Sequence, residues 1–469
     1  MTQDLKENFP YLPHTKADRE TMLSSIGVKS FDDLVSHIPA DVRLKELNIS
    51  PGLSELELSE HMRKLAAKNV SCSQQSSFLG GGVYRRFVPA AVGAIVSRSE
   101  FATAYTPYQP EVAQGTLQAI YEFQTAVCLL TGLEVANASV YDGPNACAEA
   151  ALMSCRLTSR SKIVIAESLN PEYASVTKTY VETCGMNIET AKCNDGILEP
   201  GKLVLDDAAC IIAQYPNYFG CIEELEELAK KAHDAGSLLV VVCDPIAMGL
   251  LESPGKLGAD IAVGDAQQCG NGLSFGGPSA GFMATRNQFV RQLPGRLCGM
   301  TVDSRGQRAF TLTLQTREQH IRRAKATSNI CTNQSLNALT MLVYLTMIGP
   351  RGLKELSEIG MLRAHRLSEL LCQIPGIQMK FERPFLNDFL LKRNKPVADV
   401  LTQLKNKGIL GGIHPVRFYP ALDDCLLVAV TEMNSPDELE RYINAMSEIF
   451  LGKKTAESKT VSAQEVGCR

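Results

Sequence analysis

The apolar positions of this chain fall into short continuous runs that alternate with longer segments of helical spacing. The runs at residues 162–166, 210–213 and 238–242 are rich in β-branched side chains and predict strands buried on both faces. Residues 222–235 have helical spacing, and Gly236 follows as a helix terminator. Strands that alternate with helices predict a mostly parallel sheet with helices on both faces.

The same pattern divides the chain into four parts. Residues 1–70 carry helix signals but are too polar and broken to form a core, so they predict a helical arm that packs on a larger domain or a neighbouring subunit. Residues 71–325 predict a large α/β domain, and residues 326–451 a linking helix followed by a smaller α/β domain. The polar tail, residues 452–469, is rich in Ser, Lys and Glu and predicts disorder.

Composition excludes several classes of protein. The chain has 469 residues, enough for two or three domains, and its net charge of −4 gives no basic field for nucleic acid or an anionic membrane. The fifteen cysteines are an odd number and include no C-x-x-C pair, which favours reduced thiols over a disulfide framework or a zinc site. No apolar run reaches 18 residues, and the polar start is unlike a signal peptide, so we expect a soluble cytoplasmic protein without a metal centre.

The candidate chemistry lies in residues 237–281. A strand ends at Asp244, and a second strand, predicted at 259–263, leads into a glycine-rich loop. This layout is typical of pyridoxal-phosphate folds, in which the aspartate pairs with the pyridinium nitrogen and a later lysine forms the Schiff base. Gln267 and Gln268 stand where a histidine–lysine pair is expected, and a carboxamide cannot form an imine. An ordinary α/β domain with no cofactor is the alternative.

Two further points bear on this cofactor pocket. Lys256 and Lys325 are the nearest other lysines, so an autonomous enzyme that uses either of them stays open as a hypothesis. In such folds the cofactor phosphate rests on a helix N-terminus, which corresponds here to residues 141–145. Asp142 would repel a phosphate, and Pro144 has no N–H to donate. Asp142 also suits an ordinary helix cap.

A second candidate is a stiff loop with two prolines and two tyrosines, whose polar side chains could meet a ligand: Tyr105, Thr106, Tyr108, Gln109 and Glu111. The alternative is a surface turn with its tyrosines packed on neighbouring residues. The basic run at 317–325 suits either a phosphate or acidic partner or a solvated helix face, and His320 within it is expected to be structural.

Several segments together resemble one known family. These are YTPYQPEVAQG, TGLEVANASVYDG, VVVCDP, GGPSAGF and the long stretch LQTREQHIRRAKATSNICTNQ at residues 314–334. They resemble the P-protein of the glycine cleavage system, and most closely its first half, which some bacteria make as a separate subunit 1. The resemblance extends from the arm to about residue 450.

This resemblance implies a fold-type I pyridoxal-phosphate transferase-like large domain with a smaller C-terminal domain and an N-terminal arm. P-protein decarboxylates glycine with pyridoxal phosphate and passes the aminomethyl group to the lipoyl arm of H-protein. In two-chain versions, subunit 2 is expected to hold the cofactor, and none is expected on this chain. The implied partners are subunit 2 in an α2β2 assembly, lipoylated H-protein and, in the wider system, T-protein and L-protein. A scaffold or regulatory subunit without an active-site role is the alternative.

Overall fold

The computed structural model of the chain describes residues 13–44, 48–50 and 52–452. They fall into two compact units, divided between Val70 and Ser71. Except for Gly452, the tail predicted to be disordered lies outside the described residues. None of the described helices combines the length and hydropathy needed to cross a bilayer.

The elements of the described residues are numbered in chain order. The α-helices are α1 (Lys16–Ile26), α2 (Phe31–Leu34), α3 (Glu55–Ala66), α4 (Ala90–Val96), α5 (Ser99–Ala102), α6 (Gln114–Thr131), α7 (Gly143–Thr158), α8 (Pro171–Thr183), α9 (Leu225–Asp234), α10 (Gln319–Arg322), α11 (Ser335–Cys372), α12 (Val397–Asn406) and α13 (Pro436–Leu451). The strands are β1 (Ser76–Ser77), β2 (Val135–Ala136), β3 (Lys162–Ala166), β4 (Asn187–Ala191), β5 (Cys193–Asn194), β6 (Ile197–Leu198), β7 (Ala208–Tyr215), β8 (Leu238–Cys243), β9 (Ile261–Asp265), β10 (Gly281–Thr285), β11 (Leu297–Val302), β12 (Arg308–Thr313), β13 (Ile377–Met379), β14 (Asp388–Arg393), β15 (Ile409–Leu410) and β16 (Cys425–Ala429).

The first unit is built of capped helices. Each of α1, α2 and α3 begins with a capping box, in which a serine or threonine hydroxyl and a carboxylate three residues later satisfy each other's backbone N–H. None of the three helices buries a residue. Hydrogen bonds at the helix N-termini, and not the burial of side chains in a core, are therefore the visible stabilising contacts of these helices.

The second unit is organised around a seven-stranded sheet in the order β2-β10-β9-β8-β7-β3-β4. Strands β4, β3, β7, β8 and β9 are parallel, and β10 runs antiparallel to β9 and β2. Ile211 and Val241 face one hydrophobic core, while Cys210 and Val240 face the core on the other side of the sheet. This alternation confirms the predicted mostly parallel sheet with both faces covered.

The strands predicted at 162–166, 210–213 and 238–242 are confirmed as β3, β7 and β8. The next strand begins at Ile261, two residues later than predicted. The reason is that the N–H of Ala259 bonds to the Pro254 carbonyl of the preceding turn, at 2.9 Å, and not to a neighbouring strand.

A smaller antiparallel sheet, β13-β14-β16, packs with α12, α13 and the end of α11. The long helix α11 is interrupted at Gly349, where φ is 61°, just before Pro350. Strand β1 pairs with β15, and Phe78 packs on Tyr442 with ring centroids 4.4 Å apart. The start of the predicted large domain therefore packs with C-terminal elements, in a two-stranded sheet separate from β13-β14-β16. The boundaries at 71–325 and 326–451 stay a prediction.

Candidate functional site

A small polar cavity of about 40 Å³ lies where β7, β8 and β9 end at the carboxyl edge of the sheet. Parallel strands bring their last residues together at this edge, which is the usual ligand position in such sheets. The cavity is lined by residues from both sheets and the segments between them: Gly82, Tyr84, Asn170, Tyr173, Gln214, Pro216, Asn217, Val242, Cys243, Asp244, Pro245, Asp265, Gln268, Asn387 and Asp388. Of the predicted pocket residues, it contains Asp244 and Gln268.

Asp244 follows the last residue of β8. Its Oδ1 accepts the backbone N–H of Ile246 at 2.8 Å, and more weakly that of Ala247 at 3.4 Å. The carboxylate therefore caps the turn that follows the strand while it lines the cavity.

The two glutamines have different surroundings. Gln268 Oε1 accepts two hydrogen bonds from Arg86, from Nε at 3.0 Å and from Nη2 at 2.7 Å. The third nitrogen of that guanidinium pairs with Glu432 at 2.8 Å. Gln267 does not line the cavity: its Oε1 accepts the N–H of Tyr84 at 2.9 Å and its Nε2 donates to the Tyr84 carbonyl at 3.0 Å. Gln267 thus holds a neighbouring segment in place.

Protein carboxylates occupy the N-terminus of α7, where the cofactor phosphate would rest. Asp142 is the N-cap and accepts the N–H of Asn145 at 2.8 Å, as its capping role predicted. Asp265 accepts the N–H of Gly143 at 2.9 Å and a hydrogen bond from the Ser279 hydroxyl. Burial raises the pKa of Asp265 above its ordinary value. The backbone donors that could hold a phosphate are therefore already satisfied by acidic groups.

The cavity contains no lysine among its lining residues. Lys256 is an exposed residue that pairs with Glu252 at 3.2 Å, and Lys325 is exposed as well. With an amide at position 268 and two aspartates at the α7 terminus, the described residues do not fit pyridoxal phosphate. The hypothesis of an autonomous enzyme on Lys256 or Lys325 has no geometric support.

Asp388, at the start of β14, is the most unusual group in the cavity. Its Oδ2 accepts hydrogen bonds from the Tyr84 hydroxyl and from Asn387 Nδ2, both at 3.0 Å. Its Oδ1 is fully buried and lies against Gly80, and the backbone N–H of Gly81 is close enough to the carboxyl to lower its pKa. Burial, with a contribution from the charge of Asp244, raises the pKa of Asp388 to about 7.

The buried side chain of Arg296, which is 5% exposed, contacts the predicted loop at 105–111. The guanidinium donates to the Thr106 hydroxyl at 3.3 Å and to the Tyr108 hydroxyl at 3.2 Å, and it lies 5.4 Å from the centre of the Tyr108 ring. It also donates to the Cys331 carbonyl at 3.0 Å and lies 3.9 Å from the Glu318 carboxylate. Arg296 thus joins the loop to the segment that precedes α11.

The tips of the loop remain accessible. Tyr105 is 81% exposed, and Tyr108, Gln109 and Glu111 are exposed as well. His320 lies 3.6 Å from Glu318 and packs edge-on to Tyr108 at 6.3 Å, consistent with the structural role expected for it. None of the loop residues lines the cavity at Asp244.

Sequence reasoning missed Arg86, Arg296 and Asp388. Arg86 and Arg296 each follow a glycine-containing turn and sit beside apolar residues, which is a weak signal of a buried charge. Asp388 directly precedes the apolar run of β14. Their partners lie far away in the chain, so no spacing rule could have identified the contacts.

The sequence model of the family described as glycine cleavage system P-protein matches residues 10–446. The chain belongs to this family. A relative in the P-protein family from Anoxybacillus flavithermus, named probable glycine dehydrogenase (decarboxylating) subunit 1, is 47% identical over 442 residues, 93% of this chain and 98% of that protein. A relative of the same name from Chloroherpeton thalassium is 47% identical and covers 94% of this chain and 100% of its own length.

A solved P-protein structure shows the same architecture. The crystal structure of a glycine decarboxylase (P-protein) of the glycine cleavage system, in inhibitor-bound form, matches with a TM-score of 0.86 and 42% identity, over 94% of this chain and 100% of that one. A cysteine desulfurase from Thermococcus onnurineus matches with a TM-score of 0.61 and 17% identity, over 83% and 98% of the two chains, and this shows the fold alone. The predicted pyridoxal-phosphate transferase-like α/β fold is confirmed.

Proposed function

We propose that this chain is the non-covalent half of a two-chain glycine decarboxylase, in which the partner, subunit 2, carries the lysine and pyridoxal phosphate. The observation that carries this proposal is the cavity at Asp244, where Gln268 is held by Arg86 and no lysine is among the lining residues. An amide in that position has no amine for covalent catalysis. The isolated chain is therefore expected to be inactive.

In the assembled α2β2 complex, glycine is decarboxylated and the aminomethyl group passes to the lipoyl arm of H-protein, while T-protein and L-protein act in the wider system. The high identity to proteins named subunit 1, over nearly their whole length, supports this assignment. The cysteines in the described part of the chain are free, which favours a reducing, cytoplasmic location.

The loop at 105–111 is the part of this chain that we place beside the partner's active site or the path of the lipoyl arm. Two observations support this role. Its polar tips are exposed, and the buried guanidinium of Arg296 holds the Thr106 hydroxyl and the Tyr108 side chain in place. A loop that is positioned by a buried side chain, and whose other side chains are exposed, is suited to present those side chains to a second molecule.

The deciding experiment measures the absorbance of an internal aldimine and the glycine-dependent exchange of carbon dioxide with H-protein present. We expect the isolated chain to be colourless and inert with added pyridoxal phosphate, and the mixture with subunit 2 to exceed subunit 2 alone. A yellow isolated chain whose colour is removed by borohydride reduction would contradict the proposal, because a lysine of this chain would then hold the cofactor as a Schiff base.

Replacing Tyr108 by phenylalanine should lower exchange activity of the assembled complex about tenfold, because one hydrogen bond to a charged group is worth about 1.5 kcal/mol. Glu111→Gln tests the neighbouring tip of the loop. The control is Tyr121→Phe, which removes the same atom from α6, where the ring packs on Phe310. Size-exclusion chromatography checks assembly. If both loop variants assemble and keep full activity, the scaffold or regulatory alternative is favoured.

A further inference from the structure

The loop between β9 and β10 exposes an aromatic side chain completely. The exposed fraction of Phe275 is 99%, although phenylalanine is most often a buried residue. Its backbone is in the left-handed region, with φ 56° and ψ 26°, and the preceding Ser274 has a φ of 43°. This conformation costs free energy in a residue other than glycine, and a bulky side chain is rarely found there. The fold thus holds an aromatic ring in solvent on a strained backbone.

Hydrogen bonds fix both ends of this loop to the first turn of α11. The Nδ2 of Asn337 donates to the Ser279 carbonyl at 2.9 Å, and the Asn337 carbonyl accepts from Asn271 Nδ2 at 3.3 Å. Asn271 also donates to the Ala266 carbonyl at 2.9 Å. Phe275 therefore lies between two segments that are held against α11.

Other exposed apolar side chains surround the start of α11. Leu336, in its first turn, lines a groove together with Phe101, which lies just before Tyr105 in the chain. The backbone of Tyr84 is bonded to Gln267 at the start of the loop, and helix α4 packs on α11. These contacts bring together seven exposed side chains, here called the α11 surface: Val83, Phe87, Ile95, Tyr105, Phe275, Leu336 and Met347.

The α11 surface is larger than the apolar patch that a monomer usually exposes. With roughly 200 Å² for a fully exposed large side chain, the seven exposed fractions correspond to about 800 Å². The largest apolar patch of a typical monomer is about 300–600 Å². A stable protein–protein interface takes about 800 Å² from each partner. The α11 surface therefore has the size of one side of a stable interface.

Two features favour subunit 2 as the molecule that covers this surface. Tyr105 belongs both to the α11 surface and to the loop at 105–111, which the proposed function places beside the partner. The α11 surface is also strongly apolar, as permanent interfaces are, whereas transient interfaces are more polar. A subunit that stays bound suits such a surface better than H-protein, which has to leave in each catalytic cycle.

We propose that the α11 surface binds subunit 2 and that Phe275 is the anchor of this contact, inserted into an apolar pocket of the partner. This inference rests on the proposed function, because it takes subunit 2 as the partner. Anchor residues are large side chains that lose their water completely on binding. The held loop extends the ring before the partner arrives, so that little conformational freedom is lost on assembly.

The test measures the dissociation constant of the full chain and purified subunit 2 by fluorescence-detected sedimentation. Phe275→Asn should weaken binding at least about tenfold. Asparagine tolerates the left-handed region, so urea unfolding should show that the isolated variant is as stable as the parent chain. The control is Val204→Asn, which replaces a 65% exposed apolar residue before β7, at the opposite edge of the sheet. It should leave the dissociation constant unchanged.

Equal affinity of the parent chain and Phe275→Asn for subunit 2 would overturn the inference. It would also be overturned if the substitution changed only the self-association of the isolated chain, measured without subunit 2, or only the KM for H-protein in the exchange assay. The colour of the isolated chain with pyridoxal phosphate tests the proposed function and does not depend on Phe275. A failure of the inference and a failure of the proposed function are therefore distinguishable.

Discussion

Replacing Arg296 by leucine is expected to lower the free energy of unfolding by about 3–5 kcal/mol, the usual cost of removing one partner from a buried charge pair. Glu318, 9% exposed, would keep its carboxylate in the interior and lose the guanidinium 3.9 Å away. The Cys331 carbonyl and the hydroxyl of Tyr108 would lose a charged donor as well. Urea unfolding followed by circular dichroism measures the shift in midpoint.

The control is Arg308→Leu, which removes an arginine from the exposed end of β12 and should change stability by less than about 0.5 kcal/mol. The double variant Arg296→Leu, Glu318→Leu should recover part of the loss, because the unpaired carboxylate is then absent. Equal midpoints for the parent chain and Arg296→Leu would show that the guanidinium does not stabilise the loop. The same variant should reduce exchange activity in the complex, since Tyr108 and Thr106 lose their common anchor.

The second large effect concerns Asp388. Its pKa rises from 3.8 to about 7 on folding, so the folded chain holds a proton that the unfolded chain releases between these values. The free energy of unfolding of the parent chain therefore falls as pH rises through this window, by up to about 4 kcal/mol above pH 7. Asparagine carries no such penalty, and its carbonyl oxygen can still accept from Tyr84 and Asn387.

Asp388→Asn should therefore be more stable than the parent chain at pH 8, and its advantage should be about 3 kcal/mol smaller at pH 5. Thermal and urea unfolding at both pH values measure this difference. Asp399→Asn, whose carboxylate is exposed, should show no such pH dependence. A stability difference that is the same at both pH values would mean that Asp388 titrates normally.

Several features of the fold could be predicted because they depend on local patterns. Strands β3, β7 and β8 contain continuous apolar runs with several β-branched residues, and a sheet covered on both faces buries such runs. The capping role of Asp142 follows from its place directly before a helix with proline in its first turn. The start of β9 was misplaced by two residues, because a turn hydrogen bond competed with the strand at Ala259.

The candidate site was only half predictable. Asp244 and Gln268 could be named because each follows the end of a strand, and parallel strands meet at one edge. Gln267 is adjacent to Gln268 yet bonds to the backbone of Tyr84, 183 positions earlier in the chain. Nothing in the local sequence separates these two amides, since the difference lies in the segment that packs against each of them.

By itself, the sequence determined the alternation of strands and helices and the family, because both are encoded in residue type and short-range spacing. It also predicted an amide, Gln268, at the position where a Schiff-base lysine is expected. Only the tertiary structure decided which charges are buried and what they contact. Arg86 reaches Gln268, Arg296 reaches Tyr108, and Asp388 meets Tyr84 across 182 to 304 positions of chain. Burial and pairing of a charge depend on the surfaces that folding brings together, and therefore the acidic cavity becomes visible only in the folded chain.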